Sequence, residues 1–150
     1  MDARKYLSQL MRSSRELIQQ TIAFTRYGKN RGKDGMDWRV DVSKRLVSLL
    51  RVIVSNLQRA STGKNVWEQR GLTKLEIKAI VLAVGKSNER APYVLNIFLR
   101  SVIASHGKRL VKELEVVQEL QLLKFSSDII SAYERIMKDV NTPYPFVSSQ

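Results

Sequence analysis

Residues 38–59 read WRVDVSKRLVSLLRVIVSNLQR, and this stretch decides the fold. Its apolar side chains fall at Val42, Leu46, Val47, Leu49, Leu50, Ile53, Val54 and Leu57. Intervals of three and four residues put them on one broad face of a helix, wide enough to be deeply buried. Strand-type alternation is sustained nowhere in the chain. Upstream, Tyr6, Leu7, Leu10, Met11, Leu17, Ile18 and Ile22 predict a first helix from about Asp2 to Tyr27 that stops at Gly28. Between the two helices, residues 28–35 (GKNRGKDG) read as an exposed basic loop. Downstream, Ala60 to Gly71 reads as a connection holding Val66 and Trp67. Thr73-Lys74-Leu75-Glu76 has the capping-box spacing, so a third helix starts there and runs to Gly85. Pro92 fits the first turn of a fourth, whose apolar face is Tyr93, Val94, Ile97, Phe98 and Ile103. A long last helix follows from about Lys108 to Met137 through Leu110, Leu114, Val117, Leu120, Ile129, Tyr133 and Ile136. The expectation is an all-α chain, one helical region over residues 1–150, with long antiparallel helices forming a bundle.

Composition narrows the function. The 150 residues carry 26 Lys and Arg against 14 Asp and Glu, a formal charge of +12. Residues 1–75 hold 16 of the basic and 6 of the acidic side chains, so the excess lies mostly in the first half. Such a face suits anionic company: nucleic acid, phospholipid head groups or small anions. With no cysteine and one histidine, disulfide scaffolds, thiol nucleophiles and Cys/His zinc sites are excluded. The longest stretches without a charge, Leu17–Thr25, Ala91–Leu99 and the terminal Val140–Gln150, are too short for a membrane span of about 20 residues. The first residues, Met1-Asp2-Ala3-Arg4-Lys5, have no apolar signal segment.

The local motifs read blandly. Residues 28–33 approach a phosphate-binding loop, but one residue is missing between the glycines, Asp34 replaces the required hydroxyl, and both flanks are helical. Thr62-Gly63-Lys64-Asn65 lacks the upstream glycine and the hydroxyl. His106, before Gly107 at an expected helix end, reads as a cap with no neighbouring acid. Glu113, Glu115 and Glu119, alternating with Lys108, Arg109, Lys112 and Lys124, read as a solvated helix face and not as a cation site. A helix-turn-helix with Arg39, Lys44, Arg45, Arg51 and Arg59 on its recognition helix is disfavoured, because that helix is too apolar to lie in a groove of DNA. Nothing marks an enzyme.

The end of the chain is more specific. Glu134-Arg135-Ile136 is followed by Thr142-Pro143-Tyr144-Pro145-Phe146-Val147-Ser148-Ser149-Gln150. This resembles the bestrophin anion-channel signature, in which a C-E-R-I-like turn leads into T-P-I-P-F, or into I-S-I-P-L-V-Y-T-Q in animal members. Five residues separate Ile136 from Thr142, and this longer spacing is similar to the animal form. Three more segments agree in order. Met1-Asp2-Ala3-Arg4-Lys5 resembles the R-W-W-x-A-R-K-like segment after the second membrane helix, without its aromatic. Gly71-Leu72-Thr73-Lys74-Leu75-Glu76 is similar to G-F-M-T-P-A-E, one residue shorter, and Pro92-Tyr93-Val94 to the P-W-V that opens the next helix. Physically, Pro143 and Pro145 break the helix after Asn141, and Tyr144 and Phe146 suit a membrane interface.

The resemblance implies a subunit of a pentameric chloride or other anion channel in a cell or organelle membrane. This chain would supply the cytosolic helices between the second and third membrane helices, with the flanking spans in sequence outside it. Basic residues there would line an inner vestibule that concentrates anions, and Arg39, Lys44 and Arg45 are the candidates. No cofactor is expected within the chain; the calcium-binding segment of animal members uses sequence on either side of this window. The competing expectation is a soluble basic helical module that binds nucleic acid or a protein partner.

Overall fold

A computed structural model of the chain describes residues 3–62, 72–84 and 88–141, with side chains except at 60–62, 83–84, 88 and 141. The elements are α1 (Ala3–Thr25), a 3-10 turn (Gly28–Arg31), α2 (Lys33–Thr62), α3 (Lys74–Val84), a second 3-10 turn (Asn88–Arg90), α4 (Ala91–Ala104), the single turn α5 (His106–Arg109) and α6 (Val116–Asn141). No strand occurs among the described residues, and the chain is all-α. The Ala60–Gly71 connection past Thr62, the helix stop at Gly85 and the signature residues Thr142, Pro143, Pro145, Phe146 and Gln150 lie outside the described residues.

Long helices α1, α2, α4 and α6 pack antiparallel along the pairs α2/α4 and α4/α6. Trp38 of α2 meets Val102 near the end of α4, whereas Arg45 further along α2 lies over Phe98. Arg100 reaches Leu123 and Ser126 of α6, while Tyr93 meets Tyr133. The α1 helix packs along α6, with Tyr6 under Arg135. Between them the core comprises Leu10 and Leu17; Trp38, Val42, Leu46, Leu49 and Ile53; Leu95, Leu99 and Ile103; and Leu122, Ile129 and Tyr133. Each fully buried aliphatic or aromatic side chain of this kind contributes about 1.5–3 kcal/mol. The indole of Trp38 is fully buried and donates its Nε1–H to the Val102 carbonyl at 2.8 Å, so burial leaves no donor unpaired.

The helices are turned differently from the broad faces expected. On α2 the stripe Trp38, Val42, Leu46, Leu49 and Ile53 enters the core, while Val47 and Val54 face out. On α1 the buried stripe is Leu10, Ser13, Ser14, Leu17, Thr21 and Thr25, leaving Leu7, Met11 and Ile22 exposed. Two of its hydroxyls bond back to the carbonyl four residues earlier, Ser14 to Leu10 and Thr25 to Thr21, both at 2.7 Å, so they enter the interior satisfied. On α4, Val94 and Ile103 are buried as expected, whereas Tyr93 and Ile97 look outward.

The segment expected as an exposed loop is folded. Gly28 turns the chain with φ +72, a conformation that glycine adopts without strain, into a 3-10 turn. From Lys33, rather than Trp38, the chain is again helical. Asn30 is buried, and its side-chain amide brackets Lys112: Nδ2 donates to the Lys112 carbonyl at 2.7 Å and Oδ1 accepts from the Lys112 N–H at 3.0 Å. Gly35 lies against the Asn30 carbonyl, where a Cβ would stand 1.8 Å from the oxygen.

The last helix is likewise not continuous from Lys108. The chain leaves helical geometry at Leu110, with φ −83 and ψ 146, and α6 begins at Val116. Leu110 and Leu114 insert into the core from this strap while Asn30 holds its middle. These gains outweigh the helical propensity that the local sequence carries. Val117 and Leu120, expected on the buried stripe of that helix, are exposed.

Candidate functional site

The three vestibule candidates stand on one helix, α2, but in different situations. Arg39 NH1 donates to the Thr25 carbonyl at 2.7 Å and the Asn30 carbonyl at 3.0 Å, pinning the end of α1 to the 3-10 turn. Helix C-termini leave carbonyls unpaired, and a guanidinium is well placed to take them. Arg45 lies 3.3 Å from Glu76 Oε1 and 3.6 Å from Asp41 Oδ1 and stacks over the Phe98 ring at 5.6 Å. Lys44 alone of the three is exposed.

Glu76 links the signature to this cluster. It is 1% exposed, and its Oε1 accepts from the Thr73 N–H at 3.0 Å while Thr73 Oγ1 accepts from the Glu76 N–H at 3.1 Å. The capping box forms as its spacing predicts, and its carboxylate faces Arg45. Asp41 also takes Arg109 at 2.6 Å, so an acid–base chain crosses from α3 through α2 to α5.

Around these groups a groove of about 1050 Å³ runs along α2. The end of α1, through Ile22 and Arg26, forms one wall, and Thr73 and Glu76 form the other. Arg39, Lys44 and Arg45 all line it, together with Arg51, whereas its acids are Asp41 and Glu76. The lining therefore carries a surplus of three positive charges. Its floor is apolar, with Met36 54% exposed, Val40 46% and Val47 43%. Arg51 was grouped with Arg39, Lys44 and Arg45 only in the disfavoured helix-turn-helix reading, and Arg26 and these apolar residues were not grouped with them at all. Their signal is the α2 spacing Met36, Val40, Lys44, Val47, Arg51, which is one helical stripe.

A second constellation joins other signature residues. Tyr93, next to Pro92 in the first turn of α4, meets Tyr133 edge to face at 6.4 Å between centroids. Burial first, and then the adjacent Glu134 carboxylate, pushes the Tyr93 hydroxyl above its ordinary pKa. Burial likewise pushes Tyr133 up to about 12, against an opposing hydrogen bond from Asn56 Nδ2 at 3.1 Å. Its hydroxyl donates to the Glu89 carbonyl at 2.7 Å. Arg135 lies over the Tyr6 ring at 5.5 Å, and Ile136 is buried; Arg4 is exposed. This cluster fastens α4 and α1 to α6 and reads as structural.

His106 is not a simple cap. It is buried, its Nδ1 accepts the Leu114 N–H at 3.0 Å, and its Nε2 contacts Glu119 Oε2. Glu119 is thus a partner of the histidine and not only part of a solvated face. With Nδ1 acting as acceptor, the proton of the imidazole sits on Nε2 and is donated to Glu119. Among the described residues no group of three or more His, Asp or Glu side chains is placed to hold a metal ion. No described helix is long and apolar enough to cross a membrane.

No protein-family model, curated protein or solved structure matches this chain.

Proposed function

We propose that this chain is the helical cytosolic region of a bestrophin-type anion channel subunit, with the α2 groove as an anion-attracting wall. The observation that carries the reading is the gathering of Arg39, Lys44 and Arg45, with Arg26 and Arg51, along one groove whose charge is net positive. A concave wall with an excess of one sign raises the local concentration of counter-ions and speeds their passage. The motif order along the sequence supports the same reading, with the pentamer, the flanking membrane helices and chloride as the carried ion coming from that resemblance. Arg39 and Arg45 do double duty, holding the fold and setting the field, so Lys44 is the position at which the field can be altered without disturbing internal contacts. Cells expressing the gene that encodes the chain are expected to lose anion conductance severalfold when Lys44→Glu is introduced, with a larger effect at low ionic strength. Unchanged conductance at low ionic strength would remove the groove from the permeation path.

A further inference from the structure

The outward stripe of α2 does not alternate at random. Met36, Val40, Lys44, Val47 and Arg51 follow one another at intervals of four, four, three and four residues. Apolar and cationic groups thus interleave along a trough about 22 Å long, at 1.5 Å per residue. A small inorganic anion responds to the charge of this groove but makes no use of Val40, Val47 or Ile22. An alkyl chain with a single acidic head would leave one of the two cations of the stripe, Lys44 or Arg51, against hydrocarbon. Nucleic acid would gain phosphate contacts but nothing from aliphatic groups, and the stripe offers no aromatic ring for a base. A membrane surface requires a continuous apolar face, whereas here Lys44 interrupts the exposed apolar residues Met36, Val40 and Val47. A second copy of this chain brings a further net charge of +12 to a cationic trough.

We propose that the α2 trough docks an acidic amphipathic helix of a partner protein. Apolar residues of that helix at heptad spacing would rest on Met36, Val40, Val47 and Ile22. Its carboxylates, falling between them, would meet Lys44, Arg51 and Arg26. This is helix-in-groove recognition, in which apolar anchors supply affinity and flanking charges supply selectivity and register. About 15 residues of helix match the trough's length. The inference rests on the trough alone and holds whether or not the chain conducts anions, since binding is measured on the isolated chain.

The test is fluorescence anisotropy with a labelled synthetic 15-residue helical peptide carrying leucines at heptad a and d positions and glutamates at e and g. Its twin carries lysines in place of the glutamates. The glutamate peptide is expected to bind one to one and at least about tenfold more tightly than the twin, a preference that weakens with salt. Val47→Asp is expected to weaken it about tenfold or more, through lost apolar contact and added like charge. In a Lys44→Glu, Arg51→Glu double variant the preference is expected to invert toward the lysine peptide, an outcome that misfolding cannot produce. Equal binding of the two peptides overturns the proposal, as does insensitivity to Val47→Asp or retention of the original preference in the double variant. Phosphatidylserine-containing vesicles or a short DNA duplex that bind with this same variant dependence, where the glutamate peptide does not, assign the trough to those partners instead.

Discussion

Alanine in place of a helical glycine ordinarily stabilises a helix by about 1 kcal/mol, because glycine loses more backbone freedom on folding. Gly35, in the first turn of α2, is expected to reverse that sign. A Cβ built there stands 1.8 Å from the Asn30 carbonyl oxygen, 2.7 Å from its carbon and 3.1 Å from Arg39 NH1. The obstacle is backbone, and that backbone is held on its far side by the Asn30–Lys112 bracket, so it has little room to retreat. Overpacking of this kind costs about 1–3 kcal/mol. The displaced carbonyl also loses its charge-assisted bond from Arg39, worth about 1.5–3 kcal/mol in a fully formed case and less for this half-exposed one. Set against the helical gain, Gly35→Ala should destabilise the chain by about 2–4 kcal/mol, a fall in Tm of about 6–12 °C for a domain of this length. Gly32→Ala is the internal control, because nothing lies within 4 Å of its Cβ and its φ of −77 suits any residue. It should be neutral or stabilise by up to about 1 kcal/mol. Thermal and urea unfolding followed by circular dichroism read both variants. A Gly35→Ala protein as stable as the wild type would refute the close packing of the 3-10 turn against α2.

Two further substitutions test the elements that carry the signature residues. Thr73→Ala removes the acceptor for the Glu76 N–H and should cost about 1 kcal/mol in urea unfolding, while Thr73→Ser should cost only a few tenths. Tyr133, raised by burial to about 12 from an ordinary value near 10, favours folding only while neutral. Its contribution is therefore complete below pH about 10 and is lost as pH climbs toward 12, because the unfolded chain ionises first. Tyr133→Phe should lower stability at pH 8 by about 1–2 kcal/mol, through the hydroxyl's lost bonds to Glu89 and Asn56, and flatten the decline of stability between pH 9 and about 11.5. An alkaline slope identical to the wild type would show that Tyr133 is not buried as described.

Periodicity made the helices legible, and punctuation made several of their ends legible. Thr73 and Glu76 satisfy one another's amides, and that exchange depends only on residues three apart. Pro92 likewise stands in the first turn of α4 for a local reason. What escaped the sequence was long-range. Asn30 clasps a strap 82 residues away, and nothing near either residue announces the other. That clasp turns an apparent loop into folded chain and cuts an apparent helix at Leu110. His106 met Glu119 for the same reason, across a break that local propensity did not foresee. Helix rotation was also hidden, since the many apolar residues on α2 leave more than one choice of inward face. Choosing Trp38, Val42, Leu46, Leu49 and Ile53 for α4 turned Val47 outward, beside Lys44 and Arg51, and so created the groove. The basic front half was visible as a count, but the gathering of Arg26, Arg39, Lys44, Arg45 and Arg51 along one groove was not.

Anion conduction is tested most directly by the reversal potential of the current in cells expressing the gene that encodes the chain, recorded under a tenfold chloride gradient. A chloride-selective pathway shifts it by close to the Nernst value for chloride, about 59 mV for one charge, with the current reduced by Lys44→Glu. A current no larger than in untransfected cells, or a reversal potential that follows the cation gradient, would contradict the proposal that this chain belongs to an anion channel.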